Sequence, residues 1–171
     1  MDWIEELRVL PGILYAMALG GAIGFERELK DRPAGFRTHM LVAGTAALLL
    51  GLSRMILEDA HYAGTGLQID PLRLVEAVIA GISFIGAGTI FASRGGRGVE
   101  GITTAASLLM VAAIGITVGF GYHVLALAIT LLALAVLTVL RWLERRAIGP
   151  VRGPDPDHPR RADPRDGDRK A

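Results

Sequence analysis

Five stretches of this chain are long enough to cross a lipid bilayer and are almost free of charge. Val9–Phe25 runs for 17 residues without a charged side chain. Met40–Ile56 holds only Arg54, near its end, and Leu74–Ala92 holds only Glu76, near its start. Ile102–Gly121 and Tyr122–Leu140 hold none and together run for 39 residues, interrupted only by Gly119-Phe120-Gly121-Tyr122-His123. About 20 mostly apolar residues cross the hydrocarbon layer, with a usable range of about 17–25. Helices of a small soluble bundle would each keep a charged face, and these do not. The chain therefore reads as an all-α polytopic membrane protein. Its five transmembrane helices lie over residues 9–25, 40–56, 74–92, 102–121 and 122–140.

Composition fits that solution. Glycine makes up 22 of the 171 residues, nearly twice the usual ~7%. Each glycine costs a soluble helix ~1 kcal/mol, but in lipid glycine allows helix backbones to approach closely. There is no cysteine, which excludes disulfides, thiol nucleophiles and Cys-ligated metals. The net charge of +1 gives no footprint for nucleic acid. Asp2, Glu5 and Glu6 outweigh Arg8 at the start, the wrong sign for a signal peptide, so the first block is expected to stay as a span.

The domain organisation expected is a transmembrane domain over 1–148 and a disordered tail over 149–171. The tail carries five prolines, eleven charges and a single large apolar residue, Val151, too little to build a core. Lysine and arginine fall 15 on one side of the membrane and 3 on the other. That split puts the N-terminus outside and the C-terminus in the cytoplasm.

Gly20 and Gly24 on the first span, and Gly115 and Gly119 on the fourth, are each four residues apart, the spacing of a close helix contact. Gly81, Gly86 and Gly88 extend the set on the third span, and all seven are expected to pack against other helices. Glu76 shares a helix face with Ala80, Ser83 and Ala87, so it is expected to face protein rather than lipid. Arg73, one turn earlier, is a partner for it. Alanines of the last span such as Ala126 and Ala133 are expected to face lipid. Glu26, Arg27 and Glu28 close the first span, and Arg37, Thr38 and His39 open the second, giving a cytoplasmic charge cluster in which Thr38 is a candidate N-cap. The glycine-rich run 93–101 opens the fourth span. There Arg94, Arg97, Thr103 and Thr104 are candidates for an anion or lipid headgroup. His39, His61, His123 and His158 are scattered, and no His-Glu-x-x-His occurs, so no catalytic role or bound cofactor is expected.

Three blocks in order carry a family resemblance. Gly24-x-Glu26-Arg27-Glu28 with Ala34-Gly35-Phe36-Arg37-Thr38-His39 is the first. The second is Asp70-Pro71-x-Arg73 with Gly81-Ile82-x-Phe84-Ile85-Gly86-Ala87-Gly88-Thr89, and the third is Arg97-Gly98-x-x-Gly101-Ile102-Thr103-Thr104-Ala105-Ala106-Ser107. Together they resemble the MgtC/SapB family over residues 10–121. Departures are Ala77 where glutamine is common, Ser83 where glycine is common, and a longer third block. The tail stands where many members carry a soluble regulatory domain. The resemblance implies a bacterial inner-membrane protein linked to low Mg²⁺ and intracellular survival, and a regulator of other membrane machinery. Its partners would be lipids and other membrane proteins. One alternative is a transporter of Mg²⁺ or another ion, built as a homo-oligomer in which repeated Glu76 supplies oxygens, with Asp70, Arg73 and Ser83 beside it. Another is a lipid- or phosphate-binding module.

Overall fold

The computed structural model describes residues 7–58, 70–92 and 98–148. Five α-helices follow one another, α1 Leu10–Glu28, α2 Phe36–Glu58, α3 Pro71–Ala92, α4 Gly98–Gly119 and α5 His123–Ile148. A single 3-10 turn, Leu7–Val9, leads into α1. No strand occurs among the described residues. The helices overrun the apolar blocks at several ends, because hydrogen bonding continues into the charged flanks after hydrophobicity stops. Helices α1 to α4 contain stretches of 19 to 22 residues long and apolar enough to cross a membrane, and α5 contributes a shorter apolar stretch, His123–Val139. The protein is thus an all-helical membrane protein. The tail proposed as disordered, with Arg94 and Arg97, lies outside the described residues. The chain divides into one compact unit up to Leu137 and another from Thr138, which begins with the last turns of α5.

In the first unit α1, α2 and α4 form the core. Ala16, Leu19 and Ile23 of α1 are buried with Ala43, Ala46, Ala47 and Leu50 of α2 and Leu108, Val111 and Ile114 of α4. Half of the α4 span is buried, against 6% for α3, so α4 is central and α3 peripheral. Glycine sets the separation in the core. A Cβ on Gly20 would sit 2.6 Å from the His39 carbonyl oxygen and 2.7 Å from the Ala43 Cβ. One on Gly24 would meet the Phe36 Cα at 2.8 Å, one on Gly115 would strike the Ala43 carbonyl oxygen, and one on Gly119 would meet the Leu50 Cβ at 2.6 Å. Only hydrogen fits at these crossings.

Two tight turns close the hairpins by the same geometry. After α1, the Arg32 N–H donates to the Arg27 carbonyl and the Asp31 N–H to that of Glu28. After α4, the Tyr122 N–H donates to Thr117 and the Gly121 N–H to Val118. Each pair of bonds is a Schellman end with the turning residue in the left-handed region. That residue is Gly121 at φ 86° in one turn and Asp31 at φ 50° in the other. Arg54 of α2 secures the second turn by donating to the Phe120 carbonyl at 3.2 Å. Tyr15 of α1 donates to the His123 carbonyl at 3.2 Å, joining α1 to the start of α5.

Candidate functional site

The ends of α1 and α2 bring charged and polar side chains into the packed interior. Arg27 and His39 are wholly buried, and Glu26 is 9% exposed. Glu26 near the end of α1 and Lys30, four residues on in the turn that follows, form an ion pair. Lys30 also reaches the Leu137 carbonyl at 3.4 Å. Arg27 is close enough to His39 for their charges to interact. Gly24 faces the Cβ of His39, so the absence of a side chain there admits the imidazole between α1 and α2.

His39 links this end to α4. Its Nδ1–H donates to the Gly35 carbonyl at 2.9 Å, and its Nε2 lies 3.1 Å from Ser107 Oγ. Ser107 is also 2.8 Å from the Thr104 carbonyl. A hydroxyl has one proton. Either Ser107 donates to the carbonyl and Nε2 must itself carry a hydrogen, or the imidazole is neutral and the hydroxyl turns to Nε2. The hydroxyl position is thereby coupled to the protonation of a buried histidine.

The other members of the expected cluster have separate roles. Glu28 is exposed and its Oε2 accepts from the Phe36 N–H at 2.7 Å. That places a negative charge at the start of α2, where unpaired amides favour it. Thr38 is not the N-cap, because α2 begins two residues earlier and Glu28 serves its first amide. Arg37 is exposed. Thr104 is wholly buried, so it cannot meet a headgroup at the surface, while Thr103 is half-buried.

On α3 the expectations need correction. Asp70 is a helix cap: its Oδ1 accepts from the Leu72 N–H at 2.9 Å, just before Pro71 at the first helical position. Glu76, Ala80, Ser83 and Ala87 are all exposed, so this face is turned away from the other described helices. The inward face is the one carrying Val78, Ile82 and Gly86. A Cβ on Gly86 would meet that of Ala105 at 3.1 Å, whereas Gly81 and Gly88 have nothing within 4 Å. Among the described residues those two meet no other helix, because α3 is seated by its opposite side. Arg73 and Glu76 are both exposed, and no ion pair joins them among the described residues. On α5, Ala126 and Ala133 are buried rather than outward, along with Thr130. These residues, at steps of four and three, form the packed face of that helix.

Lys30 and Ser107 were not among the expected site residues. The signal for Ser107 is periodicity: it lies on the same α4 face as Leu108, Val111 and Ile114, all buried, and a hydroxyl on such a face needs a partner. Lys30 stands four residues after Glu26, the spacing of a helical ion pair. Among the described residues no group of three or more His, Asp or Glu is placed to hold a metal ion.

These features define a class: a small helical membrane protein with a glycine-tight core and a buried arginine–histidine cluster at one end. The chain belongs to the MgtC family, whose sequence pattern matches residues 13–146. It is 39% identical over 141 residues to the protein MgtC of Brucella abortus, covering 82% of this chain and 55% of that one. It is 33% identical over 153 residues to the protein SapB of Bacillus subtilis, covering 89% and 64%. It is 37% identical over 134 residues to YhiD of Escherichia coli K12, covering 78% and 60%, and that protein's name assigns it provisionally to magnesium transport. The chain thus spans about three-fifths of the length of these relatives. No solved structure matches it.

Proposed function

We propose that this protein regulates other membrane machinery under Mg²⁺ limitation and does not itself conduct the ion. The observation behind this reading is the wholly buried Arg27. A cation path needs oxygens facing it, and a guanidinium in the packed interior repels a divalent ion across a low-dielectric medium. Lys30 adds a second positive charge and occupies the Glu26 carboxylate. The accompanying topology is insertion in the bacterial inner membrane with the N-terminus outside, from the lysine and arginine split. Reporter fusions after Arg37 should read cytoplasmic and one after Gly64 external.

The test is reconstitution of the purified chain in liposomes loaded with a Mg²⁺-sensitive dye. The expected result is influx no faster than in empty vesicles. Protein-dependent influx abolished by Glu76→Gln would overturn the reading. It would establish the second one, an oligomeric Mg²⁺ transporter. That alternative draws on the exposure of Glu76 on α3 and on the naming of YhiD.

A further inference from the structure

The outward face of α3 repeats at helical-seam spacing. Arg73, Ala77, Ala80, Phe84 and Ala87 are all exposed and follow one another at steps of four, three, four and three. Such alternation keeps a single line of side chains facing a neighbouring helix that crosses at a shallow angle. Phe84, 82% exposed, projects between small residues that leave room beside it. This line runs opposite the Val78–Ile82–Gly86 face that seats α3 on the bundle. Glu76 lies along its edge, exposed and unpaired with Arg73 in the same chain.

We propose that this face binds a second copy of the same chain through an α3–α3 contact. Copies inserted in the same orientation are related by an axis along the membrane normal. Identical helices then meet parallel and at equal depth. Arg73 and Glu76 are three residues apart, about 4.5 Å along the axis, a distance their long side chains span. The arginine of each copy therefore meets the glutamate of the other, and the pair occurs twice by symmetry. The charge set is self-complementary, which selects a copy of this chain over an unrelated helix. Phe84 of each copy packs over Ala80 and Ala87 of the other. Pairing also gives two charged side chains on a membrane helix a partner. The contact is independent of the regulatory role, because it follows from the face alone.

The chain has no native cysteine, so single-cysteine variants give a clean readout. Full-length Ala80→Cys and Ala87→Cys, oxidised in native membranes, should form disulfide-linked dimers. Leu132→Cys, exposed on α5, should stay monomeric. A second experiment co-expresses differently tagged Arg73→Glu and Glu76→Arg chains, so that one copy offers only acids on this face and the other only bases. Mixed dimers should exceed the statistical mixture by about fivefold, the weight of an ion pair at the upper end of the exposed range. Three results would each overturn the proposal: no self-crosslink at Ala80 or Ala87, crosslinks there only to a different protein, or mixed pairs at the statistical level. If the cysteine variants insert poorly, subunit counting of the unmodified protein in nanodiscs decides, and a monomer refutes the contact. Mg²⁺ flux in liposomes bears on the regulatory reading and leaves these results unaffected.

Discussion

Gly20→Ala tests whether glycine sets the spacing of the core. The added methyl would lie 2.6 Å from the His39 carbonyl oxygen, 2.7 Å from the Ala43 Cβ and 3.1 Å from the Val111 Cγ1. Carbon contacts settle at about 3.5–4.0 Å, so α1 must retreat from α2 by about 1 Å at this crossing. The carbonyl belongs to the backbone of α2 and has no rotamer to take. Forced separation of this kind costs about 1–3 kcal/mol, and the better helix propensity of alanine returns at most ~1 kcal/mol. The net expected loss is about 1–2 kcal/mol. Gly88→Ala is the matched control, since nothing lies within 4 Å of its position. It gains the same propensity and should be neutral or up to ~1 kcal/mol more stable. Unfolding in mixed micelles titrated with sodium dodecyl sulfate, followed by circular dichroism, compares the two. Equal stability of Gly20→Ala and Gly88→Ala would falsify the claim that the α1–α2 contact is limited by backbone approach.

Three further outcomes follow from the α1–α2 turn and the buried cluster. Asp31→Gly relieves a left-handed backbone at φ 50° and should stabilise the protein by about 0.5–1 kcal/mol; a loss in the same assay would mean that the aspartate side chain holds the turn. Lys30→Met strands the Glu26 carboxylate, whose side chain is 10% exposed, while Lys30 is 28% exposed. The cost should be at most ~3 kcal/mol, at the low end for a broken buried pair, and the added change Glu26→Gln should recover most of it. Ser107→Ala leaves His39 Nε2 without its described partner and should cost about 1–2 kcal/mol, detectable as a lowered melting temperature in detergent; an unchanged melting temperature would show that the histidine does not depend on this hydroxyl.

The helices were legible because charge is nearly absent inside the apolar blocks, and lipid admits few alternatives to a helix there. Their ends were less legible. Thr38 has the chemistry of a cap, but α2 starts at Phe36 because Glu28 reaches across the loop to its first amide, a contact between residues eight apart. The convergence of Glu26, Arg27 and His39 could be read from their places at the ends of adjoining spans. Ser107 comes from a helix 68 residues further on, and only the packing of α4 brings it to the histidine. Which face of α3 meets the rest of its own chain is not legible, for a physical reason. Small residues lie on both sides of that helix, Gly86 on one and Ala80, Ala87 and Gly88 on the other. Small size licenses close approach without saying whether the neighbour belongs to the same chain.

The glycines of α1 and α4 that face α2 also govern how the molecule can move. Gly20, Gly115 and Gly119 bring two helices against the carbonyls of His39, Ala43 and Ala47. No layer of flexible side chains lies between those backbones to absorb sliding. Helices α1, α2 and α4 are therefore expected to behave as one stiff frame, with amides that exchange with solvent deuterium only when the whole frame opens. Helix α3 touches that frame along a single seam and has rotatable side chains on both flanks. Of the described helices, α3 is therefore the one expected to lose its amide protection first.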